Sequence, residues 1–373
     1  MMYFVQILVY HLLMLATVAL LLWRMRSRYH ATKKPTSFVP LFALCIWGAF
    51  SSLLLAILVV LWSHDKLAGQ RFAEGLFFEG AVFVGFAAHE INRQYGTKTL
   101  LARLYLLFAI LWCGVGLYSL YYEPWNLQVK QYVIETDKIS KPLRIVLIAD
   151  IQTDKIGEYE QRALQLAKSQ NGDLILHGGD YLQSYEDGYK IGRAELTQLL
   201  QDADMHAPLG VYAVDGNHEM YDPGWETPLK NAGIDVEPQS RSLLLTKGDD
   251  TIRLTLLSCK DCRSGSNPWY FSREEAFHVM LGHDPSFAGA ETDADLLLAG
   301  HTHGGQVCIP GFGPIITLAR GIPWSWGHGK TKLPGGSTLI ISNGIGMERG
   351  DAPRIRFWCP PQIVVIDVMP QTK

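Results

Sequence analysis

Five short apolar runs in the C-terminal two thirds of the chain each end in carboxylate, amide or imidazole side chains. In the first, RIVLIAD, the apolar residues 145–149 lead into Asp150 and Gln152. The others, GDLILHGGD, LGVYAVDGNHE, FHVMLGHDP and ADLLLAGHTHGG, end in Asp180, in Asn217 and His218, in His283, and in His301 and His303. An aspartate at the end of a single strand is usually a turn residue. Five such ends favour a fold in which the ends of the strands meet.

Helical patterns separate the early runs. EYEQRALQLAKSQ follows the first run and RAELTQLLQDAD follows the second. Strands that alternate with helices predict an α/β domain, and ligands in such domains gather beyond the carboxyl ends of the strands. The sequence therefore predicts that these polar side chains converge on one metal site.

The number and type of these side chains favour two metal ions. Seven ligands exceed the four of a tetrahedral ion, and they fit two ions about 3.5–4 Å apart that share a carboxylate, the arrangement of phosphoester hydrolysis. Two aspartates and a hydroxide bring three negative charges against four positive ones, so one positive charge remains to attract phosphate. Imidazole and carboxylate suit Zn, Fe or Mn, and the amide oxygens favour Mn.

The motifs carry a resemblance to a known family. The set Asp150-x-Gln152, Gly179-Asp180, Gly216-Asn217-His218-Glu219, His283 and Gly300-His301-x-His303 resembles the calcineurin-like metallophosphoesterases over roughly residues 143–368. GHTHGGQV and RFWCPPQIVVIDV are similar to its membrane-associated bacterial branch, whose members carry N-terminal spans before one phosphoesterase domain. The resemblance implies an α/β fold, a four-layer α-β-β-α sandwich with the dimetal centre at the sheet edge. It also implies a phosphatase, phosphodiesterase or pyrophosphatase activity.

The resemblance also implies a role for each residue. Asp180 would bridge the two ions. The first ion would be completed by Asp150, Gln152 and His303, and the second by Asn217, His283 and His301. His218 would be catalytic and not a ligand: it would face the substrate, stabilise the phosphoryl oxygens and protonate the leaving group, as a cationic imidazole can.

Gln152 departs from the family pattern, in which most relatives have histidine. A glutamine oxygen is neutral, as imidazole is, so the charge balance of the site is kept. It is a weaker donor that exchanges nitrogen for oxygen, which favours Mn over Zn or Fe at that ion. Asp154, two residues further along, is interpreted as a turn residue.

The first third of the chain has the composition of a membrane region. Charged residues make up 18% of the 373 residues, and the deficit lies in the first 125. Four spans are predicted, at about 3–23, 41–62, 72–91 and 104–122. The predicted organisation is a transmembrane region over 1–125 and a phosphoesterase domain over 126–373.

The distribution of basic residues predicts which side of the membrane the domain lies on. The predicted loops 24–40 and 92–103 hold five and three Lys or Arg, and the loop 63–71 holds two. With four spans, the positive-inside rule places the N-terminus and the domain outside the cytoplasm. With three spans the domain lies inside. The choice depends on the span at 72–91, which carries three glutamates.

Cys259 and Cys262, in CKDC, leave three interpretations open: a disulfide, a redox pair or half of a zinc knuckle. The chain has no second C-x-x-C to complete a cysteine zinc site. A local structural role is favoured for this pair.

The predicted function is that of a multi-pass membrane phosphoesterase that hydrolyses a phosphate ester or a pyrophosphate, with lipid-linked and nucleotide substrates as candidates. Its predicted partners are the lipid bilayer and a phosphate-containing substrate. A net charge of -3, with no basic run interleaved with aromatics, indicates no nucleic-acid partner. Two alternatives stay open: an inactive sensor or scaffold on the same fold, and a transporter with an attached regulatory domain.

Overall fold

The computed structural model describes scattered residues between 9 and 32 and the ranges 68–95, 100–183, 188–264, 276–317, 321–349 and 352–371. The predicted span 41–62 and most of 3–23 lie outside these residues. The chain divides into two compact units. Met1–Tyr122 and Gly350–Ile355 form the first, and Glu123–Arg349 and Arg356–Lys373 form the second.

The described part of the first unit is helical. Helices α1 (Ala68–Glu74) and α2 (Gly80–Tyr95) are joined by a π-helical turn, and α3 (Leu100–Leu117) continues through a second such turn at Tyr118–Tyr122. Ala87 and Ile91 of α2 pack against Ala102 of α3. Small side chains let the two helices approach closely.

Within the described residues, one helix is long and apolar enough to cross a membrane. It runs from Leu100 to Trp125 with a hydropathy of 2.0, and it contains the predicted span 104–122. The predicted span 72–91 is also helical, but it does not meet the same measure of length and apolarity. It buries Glu90, whose carboxylate lies 2.8 Å from the guanidinium of Arg93.

The second unit begins with a six-stranded sheet, ordered β1-β14-β2-β3-β4-β5. Its strands are β1 (Gln128–Thr136), β2 (Leu143–Ile148), β3 (Leu174–His177), β4 (Val211–Ala213), β5 (Asp235–Val236) and β14 (Gln362–Pro370). Strands β2 to β5 are parallel, as are β1 and β14, and β14 is antiparallel to β2.

A second six-stranded sheet has the order β12-β13-β9-β8-β7-β6. Its strands are β6 (Arg241–Lys247), β7 (Asp250–Leu256), β8 (Phe277–Leu281), β9 (Leu296–Ala299), β12 (Gly329–Lys332) and β13 (Thr338–Ile341). The four central strands are parallel, and each edge strand is antiparallel to its neighbour. β10 (Cys308–Ile309) and β11 (Gly313–Pro314) form a separate small ladder.

The first apolar run lacks polar alternation because both faces of its strand are covered. Ile145 and Leu147 pack in one core with residues of the second sheet, such as Val279 of β8. Val146 and Ile148 point to the opposite face. There they pack against α4 (Glu158–Lys168) and α5 (Tyr189–Ala203). The fold is therefore mixed α/β with two largely parallel sheets, as the sequence predicts.

Shorter elements cover the outer face of the second sheet. Met280 and Leu297 pack there against Phe287 and against Cys262 of α7 (Cys259–Arg263). The short helix α6 (Glu226–Asn231) lies between β4 and β5 in the chain. The carboxyl ends of β3 and β8 meet between the sheets, because the His283 ring lies 2.7 Å from the carbonyl oxygen of Gly178.

Candidate metal centre

Three of the predicted ligands form a tight buried group. One ligand atom from each of Asp180, His283 and His301 lies within 4.8 Å of the other two. His283 Nε2 is 3.1 Å from Asp180 Oδ2. Two imidazoles and a carboxylate at this spacing are a donor set for a divalent ion such as Zn, Fe or Mn.

The backbone fixes the orientation of the His283 ring. Nδ1 donates to the Gly178 carbonyl oxygen at 2.7 Å, which leaves Nε2 facing Asp180. A hydrogen bond of this kind selects the tautomer of a metal-binding histidine. Burial lowers the pKa of His283, but the Asp180 carboxylate outweighs burial, and the pKa rises to about 10. The carboxylates of the site thus favour a positive charge at this point, which a metal ion also supplies.

Asp180 lies at the centre of the site. Its Oδ1 accepts the backbone N–H of His218 at 2.9 Å. Burial would raise the pKa of Asp180, yet the adjacent His283 holds it below the usual range. A Cβ at Gly216 would overlap Asp180 Oδ1, so the glycine of GNHE leaves room for this carboxylate.

Five predicted ligands have a left-handed backbone. The φ angles are 52° at Asp150, 35° at Gln152, 54° at Asp180, 70° at His301 and 48° at His303. This region is uncommon for residues other than glycine, and residues held in it cluster at functional sites. Each of these residues lies within four residues of the end of a strand, β2, β3 or β9.

The three ligands predicted for the first ion each carry a buried polar atom without a hydrogen-bond partner among the described residues. These atoms are Asp150 Oδ2, Gln152 Oε1 and His303 Nδ1. An unpaired buried polar group is costly, and each one calls for an explanation such as an ion. These residues therefore fit a divalent metal.

Asp150 and Gln152 are both oriented by their other polar atoms. Asp150 Oδ1 accepts the backbone N–H of His301 at 2.9 Å. The Gln152 amide nitrogen donates to Gln183 Oε1 at 2.8 Å and lies 3.3 Å from Glu348 Oε2. Because the amide nitrogen is held in this way, the amide oxygen is available to an ion.

The two histidines of GHTH are neutral. Burial lowers the pKa of His301 to about 4, and burial also holds the pKa of His303 well below its usual range. Neutral imidazole is the form that binds a metal. His301 Nε2 also lies 3.6 Å from the carboxylate of Asp284, which was not predicted as a site residue.

Asn217 and His218 complete the predicted set. Asn217 Oδ1 is 3.3 Å from His283 Nε2, beside the tight group. His218 is half-buried, and its Nε2 lies 4.0 Å from Asp180 Oδ2 and 3.2 Å from the Gln152 amide nitrogen. It thus lies next to the candidate centre but outside the tight group.

Glu219, the last residue of GNHE, was not predicted from the sequence to act in the site. The buried Glu219 carboxylate accepts three backbone N–H groups, from Asp180 at 2.8 Å, Tyr181 at 3.0 Å and Gly216 at 2.6 Å. Burial raises its pKa to about 8. A glutamate directly after the motif histidine, in a turn rich in glycine, was the available signal for this role.

Other residues lie apart from the centre. Asp154 is buried and its carboxylate is 3.7 Å from the guanidinium of Arg349. His177 and His278 lie within β3 and β8. Cys259 and Cys262 are buried free thiols in α7, which gives no disulfide in this structure.

Comparison with known proteins agrees with this geometry. The family model described as Calcineurin-like phosphoesterase matches residues 143–305. The uncharacterized metallophosphoesterase YkuE of Bacillus subtilis is 29% identical over 266 residues, which cover 68% of this chain and 88% of that protein. An uncharacterized metallophosphoesterase of Aquifex aeolicus is 27% identical, over 68% of this chain and 96% of its own. The phosphodiesterase YaeI of Escherichia coli is 25% identical, over 69% and 93%.

Proposed function

We propose that this chain, a calcineurin-like phosphoesterase and a metal-dependent phosphoric ester hydrolase, works at a membrane with two divalent ions. One observation carries the two-ion proposal. The orphaned atoms of Asp150, Gln152 and His303 are additional to the group formed by Asp180, His283 and His301. Two sets of donors in one site match the two-metal arrangement of phosphoester hydrolysis.

Asp180 and His218 have different proposed roles in the reaction. Asp180 lies between the histidines of one set and the loop that carries Gln152, so its carboxylate is the proposed bridge. When bound, the ions would polarise the phosphoryl oxygens and provide a nucleophile at neutral pH. His218 is the proposed general acid, because its half-buried ring lies beside the centre and it can donate a proton to the leaving oxygen.

Manganese is the proposed native ion. The predicted ligands include two carboxylates and two amide oxygens beside three imidazoles, and such oxygen donors favour harder ions. Iron and zinc are the alternatives, since imidazole suits both.

Membrane attachment rests on the helix Leu100–Trp125. Large apolar side chains such as Leu107, Ile110 and Leu111 are more than half exposed along it, as on a lipid-facing helix. The excess of basic residues in the predicted loops 24–40 and 92–103 favours an extracytoplasmic domain. A domain tethered to a bilayer suits a lipid-linked phosphoester or pyrophosphate.

A substrate panel tests this function. The full chain, purified in detergent and loaded with Mn, would be assayed against monoesters, diesters and pyrophosphates, with Asp180→Asn as the control. We expect metal-dependent hydrolysis of one class that the variant loses. Metal binding without hydrolysis of any class would favour the sensor or scaffold alternative.

A reporter fused after Lys373 tests the sidedness separately. A reporter that works only when exported should be active in cells that make the fusion. Activity of a cytoplasmic reporter alone would place the domain inside and reduce the number of spans by one.

A further inference from the structure

An uncharged hairpin follows the GHTHGG motif and exposes large apolar side chains. This apolar hairpin, residues 307–317, contains β10, β11 and the turn between them, and it has no Asp, Glu, Lys, Arg or His. The exposed fractions are 47% for Ile309, 77% for Phe312, 54% for Ile315 and 66% for Ile316. Large apolar patches are rare on soluble monomers, and where they occur they mark an interaction site.

Hydrogen bonds hold the apolar hairpin in shape. The Phe312 N–H donates to the Ile309 carbonyl at 3.0 Å, which closes the turn, and the Ile315 N–H donates to the Val307 carbonyl at 2.9 Å. On its other side, the Cys308 N–H donates to the Phe357 carbonyl at 2.8 Å. The apolar side chains are thus presented by a paired backbone.

The segment beside the hairpin adds an exposed tryptophan. Trp358 follows Phe357 directly, is 59% exposed and has a left-handed φ of 53°. A large residue held outward in a strained backbone indicates a functional constraint. Tryptophan rings are enriched where an apolar phase meets water.

The apolar hairpin is fixed to the candidate metal centre. Gln306, which leads into it, accepts the Phe357 N–H at 2.9 Å and the Glu348 N–H at 3.0 Å. The Cys359 thiol donates to the His303 carbonyl at 3.3 Å. Whatever the apolar hairpin binds therefore lies at a fixed distance from the centre.

We propose that the apolar hairpin inserts into the phospholipid bilayer to which the chain is anchored and holds the metal centre at the level of the head groups. The inference rests on the membrane attachment proposed above. The apolar helix ends at Trp125 and β1 begins at Gln128, so the domain starts two residues after that helix. A tether this short keeps the domain beside the bilayer.

The absence of charge from residues 307–317 favours lipid over a polar partner, because a charged side chain in the bilayer is costly. In this position the site meets a phosphoester in the head group of an amphiphile that stays in the membrane. The substrate class that follows is a phospholipid or another lipid-linked phosphate.

Depth-dependent quenching in the full chain tests the insertion. Cys45 and Cys113 would be replaced by serine, and the environment-sensitive dye NBD would be attached at Phe312→Cys. The matched control is Leu244→Cys, on the edge strand β6 and 61% exposed. Both proteins would be placed in nanodiscs of phosphatidylcholine and phosphatidylglycerol in equal parts, with doxyl groups near the head of the acyl chains.

We expect the doxyl lipids to quench the label at position 312 and to leave the label at 244 bright. Iodide in the water should quench only the label at 244. Quenching of both labels by iodide alone would overturn the inference. Quenching of the 312 label by neither agent would assign the apolar hairpin to a protein interface and also overturn it. A chain that does not enter the nanodiscs would overturn the membrane attachment and the insertion together.

A kinetic comparison separates this inference from the proposed activity. Phe312→Ser should keep the kcat/KM for a water-soluble nitrophenyl diester, because the 77% exposed Phe312 is neither a proposed ligand nor the proposed general acid. It should lower kcat/KM about tenfold for a diester that carries an acyl chain in the same nanodiscs. An equal kcat/KM of both proteins on the acylated diester would contradict the inference. If the unaltered chain hydrolysed neither substrate, that result would contradict the proposed activity instead.

Discussion

The carboxylate of Glu219 accepts the backbone N–H of Asp180 at 2.8 Å, so the residue after the motif histidine fixes the turn that carries the proposed bridging ligand. The same Oε2 also accepts the Gly216 N–H, and Oε1 accepts the Tyr181 N–H. Three backbone donors thus converge on one buried side chain that is not among the proposed ligands.

Glu219→Gln should destabilise this turn. An amide has one acceptor oxygen, so one backbone N–H would meet an NH₂ group and lose its partner, at a cost of about 1–3 kcal/mol. We expect a lower melting temperature without metal and weaker Mn binding by titration. The exposed Glu237→Gln is the control and should change neither. Unchanged melting and Mn binding in Glu219→Gln would contradict the positioning role.

Asp180→Asn should lose metal and activity together. Its carboxylate lies in the tight group and is the proposed bridge, and an amide removes the negative charge that the ions need. Elemental mass spectrometry should find fewer than two ions per chain, and hydrolysis should fall to background. Two retained ions per chain would rule out the bridge.

His218→Ala should keep both ions and lower turnover by about 10²–10⁴, the usual effect of a lost general acid. The ring lies 4.0 Å from Asp180 Oδ2 and outside the tight group. A nitrophenyl ester, whose leaving group needs no proton, should recover part of the lost rate. An equal loss on both substrates would favour charge stabilisation as the role of this histidine.

Gln152→Ala should raise the Mn concentration needed for half-maximal activity by about tenfold or more, because it removes a proposed ligand oxygen. Gln183→Ala keeps that oxygen and removes the 2.8 Å hydrogen bond that orients it, together with the hydrogen bonds of Gln183 to Glu348 and to the Arg349 N–H, so its effect on the Mn dependence should be smaller. Gln152→His should shift the metal preference toward Fe or Zn. Unchanged Mn dependence in Gln152→Ala would assign the residue to the turn alone.

His177 should make the protein sensitive to acid. Burial lowers its pKa to about 4, and both ring nitrogens lack partners among the described residues. The unfolded chain has a histidine pKa of about 6.5, so it binds the proton more readily than the folded chain does. The stability from this group is complete above about pH 6.5 and is lost as pH falls toward 4, by about 2 kcal/mol at pH 5.

His177→Leu removes this titratable group and should make the stability depend less on pH. Between pH 7.5 and pH 5 the melting temperature of the variant should fall by about 4–8 °C less than that of the unaltered chain. Equal falls in the two proteins would show that the folded protein accommodates a charged imidazole in β3.

Much of the fold could be predicted from the sequence, because each strand of the site carries two signals: an apolar run and a polar residue that follows it. Residues 145–149 are apolar on both faces, and Asp150 then ends the run. Residues 174–176 are also apolar, and Asp180 follows them after His177 and two glycines. The edge strands β6 and β12 were not predicted. They are half-solvated and carry mixed side chains, so they lack the apolar run that identifies a covered strand.

The candidate site was less completely predictable. Residues 150, 180 and 301 could be assigned because their chemistry is that of ligands. The residues that orient the ligands could not, because they act between separate segments of the chain. Glu219 and Gln183 form hydrogen bonds with Asp180 and Gln152, and Asp284 lies 3.6 Å from the His301 ring. The spans before residue 100 were predicted from apolar length, which identifies a candidate helix but not its surroundings.

An interior position of the first sheet is occupied by β14, the most C-terminal of its strands. β14 lies between β1 and β2, with Gln128 opposite Gln362 and Val146 opposite Val365. While the chain is being synthesised, the strand nearest the apolar helix has no neighbour and β2 has an open edge. The sheet is completed only after β14 has left the ribosome. Completion of the first sheet therefore waits for β14, and a chain that stops before residue 362 leaves β1 without a partner strand and one edge of β2 open.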